Sequence, residues 1–75
     1  MEKKLSKMKS GDEGKIIRID SSARGGIAGM GIRKGKIVKV ASEQPVGGPI
    51  VVEIDGNKSS LGRGIAETVL VEVGE

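Results

Sequence analysis

Of the 27 apolar residues in this 75-residue chain, nine are Ile and eight are Val, and none is Phe, Tyr or Trp. β-Branched side chains are stiff at χ1 and sit well on a pleated surface, so this bias favours strands. The core such a chain can build is aliphatic and small. A chain of this length buries only roughly 60% of the surface its unfolded state exposes, which suits a single domain over residues 1–75. Thirteen Gly divide it into short segments, as tight corners between strands require.

The pattern along the chain predicts a mainly β fold: a small, partly open antiparallel barrel of about five strands with one short helix and a 3-10 turn. Residues 1–10 read as a charged lead-in, in which Leu5 and Met8 are spaced for one helical turn. Residues 11–14 read as a turn. Residues 15–20 read as a strand with Ile17 and Ile19 on one face and Arg18 and Asp20 on the other. Ser21 and Ser22 are placed to cap a short helix over 23–30, with Ala23, Ile27 and Met30 on one face. Gly25, Gly26 and Gly29 weaken that helix by about 1 kcal/mol each relative to Ala. A second strand is expected at 36–41 and a loop at 43–48. A third strand at 50–54 turns Ile50, Val52 and Ile54 inward, and Asp55-Gly56 is a strong hairpin signal. Residues 59–61 pair back, 64–67 form one helical or 3-10 turn, and Val69, Val71 and Val73 alternate along the last strand.

The chain also lacks His and Cys. That excludes a disulfide, a thiolate nucleophile, a Ser-His-Asp triad and a Cys- or His-based zinc or iron site within one chain. The remaining acids and lysines would need large pKa shifts to catalyse, and a small domain has little interior in which to shift them. The chain therefore reads as a binding module, not an enzyme, with no cofactor of its own. Oxygen ligands from Glu43, Glu53, Asp55, Glu67 and Glu72 suit at most weak Fe2+ or Mn2+ binding, and no spacing among them specifies a site. No stretch is long and apolar enough to cross a membrane. Met1 leads into charged residues without an apolar signal core, so a cytoplasmic location without membrane insertion is expected.

The net charge of +3 is unevenly placed: residues 15–39 hold seven Lys or Arg against Asp20 alone, whereas residues 40–75 carry an excess of acids. Such a dipole can orient an encounter with a partner. The cluster from Gly25 to Gly31 matches neither the dinucleotide fingerprint nor a P-loop, since Met30 and Ile37 stand where the latter needs Gly and Ser or Thr. The basic run could track phosphates, but no aromatic is present to stack on bases.

One ordered set of residues says more. Leu5, Met8, Gly11 and Gly14 precede the first strand of the barrel. Arg24, Ile27, Met30-Gly31-Ile32 and Gly35 follow it. Then come Pro45, Gly47, Pro49-Ile50, Gly56, Leu61, Arg63, Ala66 and Val71. In this order the chain resembles the FeoA family, ferrous iron transport protein A, over nearly its whole length. The resemblance implies an SH3-like barrel and a cytosolic partner of FeoB, a membrane ferrous iron transporter with a cytosolic GTP-binding domain. It is a domain type similar to the C-terminal module of iron-dependent repressors, and the family is associated with transition metals.

The leading expectation is a non-enzymatic accessory module of ferrous iron uptake that binds the cytosolic part of the transporter. Arg24, Ile27, Met30, Arg33 and Lys34 are the expected contact residues, the cations steering toward an acidic patch and Ile27 or Met30 supplying apolar burial. A nucleic-acid-binding barrel and a weak Fe2+ or Mn2+ sensor are the alternatives.

Overall fold

The structure is a computed structural model that describes residues 1–21, 31–43 and 47–74. The helix expected over 23–30 therefore lies outside the described residues, as do residues 44–46 of the loop expected at 43–48.

Six strands form one antiparallel sheet: β1 (Glu2–Lys4), β2 (Glu13–Ile19), β3 (Ile37–Glu43), β4 (Ile50–Ile54), β5 (Asn57–Leu61) and β6 (Val69–Val73), in the spatial order β1-β6-β2-β3-β4-β5. A 3-10 turn (Leu5–Lys7) follows β1, and one short helix, α1 (Arg63–Ala66), links β5 to β6. The sheet curls around a single aliphatic core. Val38, Val40, Val52, Val69, Val71 and Ile50 are all at most 1% exposed, and Leu5 and Met8 plug the same core from the N-terminal segment.

Local pattern accounts for the second half of the sheet. Ile50, Val52 and Ile54 are buried, and Asp55 and Gly56 form the two-residue hairpin with φ values of 54° and 81°. These positive angles match the mirror-image turn whose twist suits paired strands.

Two features depart from the expectation. The charged lead-in contains a sixth strand: Glu2, Lys3 and Lys4 pair with Glu72, Val71 and Leu70 of β6, and the helical turn expected there is the 3-10 turn. Residues 2–4 carry no apolar alternation, so only the partner strand reveals them. In β2, the inward residues are Ile16 and Ile19, and Ile17 is only half-buried. Ile16 faces Val71 and Arg18 faces Leu70, so Ile17 is the extra residue of a β-bulge. A bulge sets two residues against one and reverses the alternation beyond it. Nearby, a Cβ on Gly14 would collide with the Glu72 carbonyl, so β2 and β6 approach closely only because position 14 is glycine.

A polar seam joins the end of β1 and the 3-10 turn to α1 and to the residue that precedes Pro49. The Arg63 guanidinium donates from Nε to the Gly48 carbonyl (2.9 Å) and from Nη1 to the Ser6 carbonyl (2.7 Å). The Ser6 hydroxyl, itself buried, donates to Glu67 Oε2 at 3.0 Å, and Lys4 Nζ lies 3.4 Å from Glu67 Oε1. These contacts satisfy backbone carbonyls that the incomplete barrel would otherwise leave unpaired.

Candidate functional site

Two of the five expected contact residues, Arg33 and Lys34, lie in the described structure; Arg24, Ile27 and Met30 lie outside the described residues. Arg33 and Lys34 occupy the first two positions of a tight turn over 33–36, closed by the Lys36 N–H donating to the Arg33 carbonyl at 3.1 Å. Gly35 has a φ of 95°, and Lys34 has a negative φ, which together specify a type II turn. The turn is held on both sides. Ile32, 2% exposed, anchors it in the core, and the Gly35 N–H donates to the Ile16 carbonyl at 2.7 Å. The Ile16 N–H donates back to the Lys36 carbonyl at 2.8 Å. Arg33 and Lys34 are exposed on this braced loop, and among the described residues no carboxylate pairs with either.

The other cations of the basic segment are differently placed. Lys36 Nζ is 2.8 Å from Asp55. Lys39 stands in register between Glu13 of β2 and Glu53 of β4, and Glu53 in turn faces Lys58 of β5. Lys15 faces Glu72 of β6. Arg18 shares a shallow depression with Asp20 and Glu67. The sheet thus brings acids from distant parts of the chain beside most of the segment's cations, and cross-strand neighbours of opposite charge attract. What reads as a continuous basic run is, on the strands, an alternating ladder; the turn stands outside it.

Ile37 follows the turn directly and is 51% exposed, the one large apolar side chain besides Met1 so placed among the described residues. Sequence alone assigns an Ile in a strand to the core; only the pairing of Ile37 with the exposed Lys15 puts it on the outer face.

The five carboxylates considered as metal ligands are dispersed. Glu43 ends β3 opposite Ile50, Glu53 lies on β4 with Asp55 in the hairpin turn beyond it, Glu72 lies across the sheet beside β1, and Glu67 belongs to the seam. Among the described residues no group of three His, Cys, Asp or Glu is arranged to hold a metal ion. Glu67 has its pKa lowered, first by the Ser6 hydroxyl and then by Lys4. This carboxylate serves the seam. Among the described residues no helix is long and apolar enough to cross a membrane.

Comparison with known proteins bears on the fold and the family. The FeoA domain family matches residues 3–73, while no curated protein matches at a significant level. Among solved structures, an iron uptake regulatory protein, FeoA, superposes with a TM-score of 0.90 at 32% identity, over 99% of this chain and 100% of that one. A manganese-dependent transcriptional repressor superposes with a TM-score of 0.87 at 26% identity, over 97% of this chain but 42% of the repressor. The zinc complex of Stenotrophomonas maltophilia FeoA, described as a prokaryotic SH3 domain protein, gives 0.77 at 20% identity over 91% of this chain and 87% of its own. That last likeness bears on the fold, which is SH3-like. With the family spanning all but two residues at each end, the chain belongs to the FeoA domain family.

Proposed function

We propose that this protein is a non-enzymatic accessory module of ferrous iron uptake, acting in the cytoplasm by binding the cytosolic part of a FeoB-type transporter. The observation that carries this reading is the pair Arg33 and Lys34. They are exposed on a turn braced by Ile32 and two backbone hydrogen bonds, and among the described residues no carboxylate pairs with either, while neighbouring cations face acids. A rigid, uncompensated pair of cations suits an acidic patch on a protein and loses little side-chain-bearing backbone freedom on docking. Ile37, beside the turn, supplies apolar contact. The absence of His and Cys fits a division of labour in which the transporter handles the iron.

The ladder of matched charges supports a protein partner over a nucleic acid, because phosphate binding draws on several cations tracking one backbone. The test is titration of the protein with the transporter's cytosolic domain. Arg33→Glu combined with Lys34→Glu should weaken binding by at least about tenfold through charge repulsion. Unchanged affinity would remove the turn as the docking surface.

A further inference from the structure

The two edges of the sheet are not equivalent. β1 is three residues long, and all of them are charged. β5 has five residues, Asn57, Lys58, Ser59, Ser60 and Leu61, with one charge, no proline and an unbroken register against β4. Natural edges are usually blunted by charge, proline, bulges or shortness, and β5 has little of this.

The hairpin fixes which backbone groups β5 leaves free. In a two-residue hairpin the closing pair, Ile54 and Asn57, exchanges hydrogen bonds, and bonded pairs then alternate along the ladder. Asn57, Ser59 and Leu61 therefore turn their N–H and C=O toward β4. Lys58 and Ser60 turn theirs away from the sheet, and both residues are exposed.

We propose that this edge pairs with the same edge of a second copy, antiparallel and two-fold, centred on Ser59. Lys58 then faces Ser60 of the second copy, and the reverse, which makes two hydrogen-bonded pairs from the groups that point outward. No like charges stand directly opposite, and Lys58 keeps Glu53 beside it within its own sheet. Ser59 meets its own counterpart at the axis. The outward-facing residues flank Ser59 equally and the one charge lies off the axis, so a second copy uses every outward group of the edge without setting like charges opposite. Two five-residue strands bury well under the ~1,200 Å² of a standard specific interface, so the pair is weak and concentration-dependent. This inference stands apart from the transport reading and uses none of the turn residues.

The chain has no cysteine, so single substitutions report cleanly. The residues at the axis form a non-hydrogen-bonded pair with Cα atoms about 4.5 Å apart, within the range of about 4.4–6.8 Å that a disulfide spans. Under mild oxidation Ser59→Cys should give a disulfide-linked dimer whose yield rises with protein concentration. Asn57→Cys lies on the same face of the same strand and is more exposed. Its counterpart would sit four residues along, about 13 Å away, so it should stay monomeric. Ser60→Pro removes an outward N–H without touching the β4 ladder, and Ser60→Lys sets like charges opposite; either, added to Ser59→Cys, should abolish the dimer, with folding checked by amide spectra. Equal cross-linking at positions 57 and 59, none at 59, or a dimer indifferent to both changes at Ser60 would overturn the proposal. Loss of transporter binding by Ser60→Pro without any cross-link at 59 would assign the edge to the transporter, and would overturn it equally.

Discussion

Lys39 and Lys34 lie five residues apart in a segment that reads as one basic run, yet they have different surroundings. Lys39 sits in the middle of the sheet with Glu13 and Glu53 as cross-strand neighbours. Lys34 sits on a turn that projects from the same strand, with no carboxylate paired to it among the described residues. The difference lies in topology: a strand residue acquires neighbours from distant sequence on both sides, whereas a turn residue acquires few. Positive charge in a β protein is therefore available to a partner where the chain leaves the sheet. The turn is the better candidate for contact for that reason, and the strand lysines are better candidates for stabilising the fold.

Substitutions can separate the two regions. The largest expected effect comes from removing what anchors the turn. Ile32→Ala empties a buried site and should cost about 2–5 kcal/mol, measured by urea denaturation, with the transporter affinity of the folded fraction also reduced. Gly35→Ala comes next. A Cβ there meets no neighbouring atom, so the cost is that of the 95° φ, about 1–2 kcal/mol. Lys39→Glu places three acids in one cross-strand row and should cost about 1 kcal/mol or less, leaving transporter affinity nearly unchanged. The double change Arg33→Glu plus Lys34→Glu should do the opposite, altering stability by no more than about 0.5 kcal/mol while reducing affinity. If Lys39→Glu weakened binding as much as the turn variant did, the distinction between matched and unmatched cations would collapse.

Elements with a local signal were legible in the sequence. Ile50, Val52 and Ile54 alternate, Asp55-Gly56 closes the hairpin, and Val69 and Val71 face inward as period two requires. The missed features depend on partners far along the chain. The bulge at Ile17 exists only relative to Val71 and Leu70, and β1 is a strand only because β6 offers it an edge. Arg63 closes the seam by reaching carbonyls 15 and 57 residues away, a role no spacing encodes. At the candidate site, Arg33 and Lys34 were visible as charges beside a glycine. That no carboxylate among the described residues pairs with them was not visible, because it is defined by where Glu13, Glu53, Asp55 and Glu72 end up. Ile37 escaped notice because an apolar strand residue is assigned inward by default.

The smallest effect tests a matched anion in the seam. Glu67 accepts from the Ser6 hydroxyl and faces Lys4, and both hold its pKa below the ordinary 4.5. A carboxyl whose pKa is depressed by folding contributes stability above its unfolded pKa, and that contribution fades as pH falls through the folded value. Glu67→Gln should therefore lower stability slightly at pH 6, with the difference shrinking as pH falls through the lowered folded-state value and vanishing once the native carboxyl is protonated as well. The side chain is exposed, so solvent screens the pairing and the gap at pH 6 is small. Urea midpoints of the two proteins, followed from pH 6 downward into acid, measure it. A gap that persisted in acid would mean that Glu67 serves the seam through shape and neutral hydrogen bonding, and that matched charge contributes no more at the seam than unmatched charge contributes at the turn.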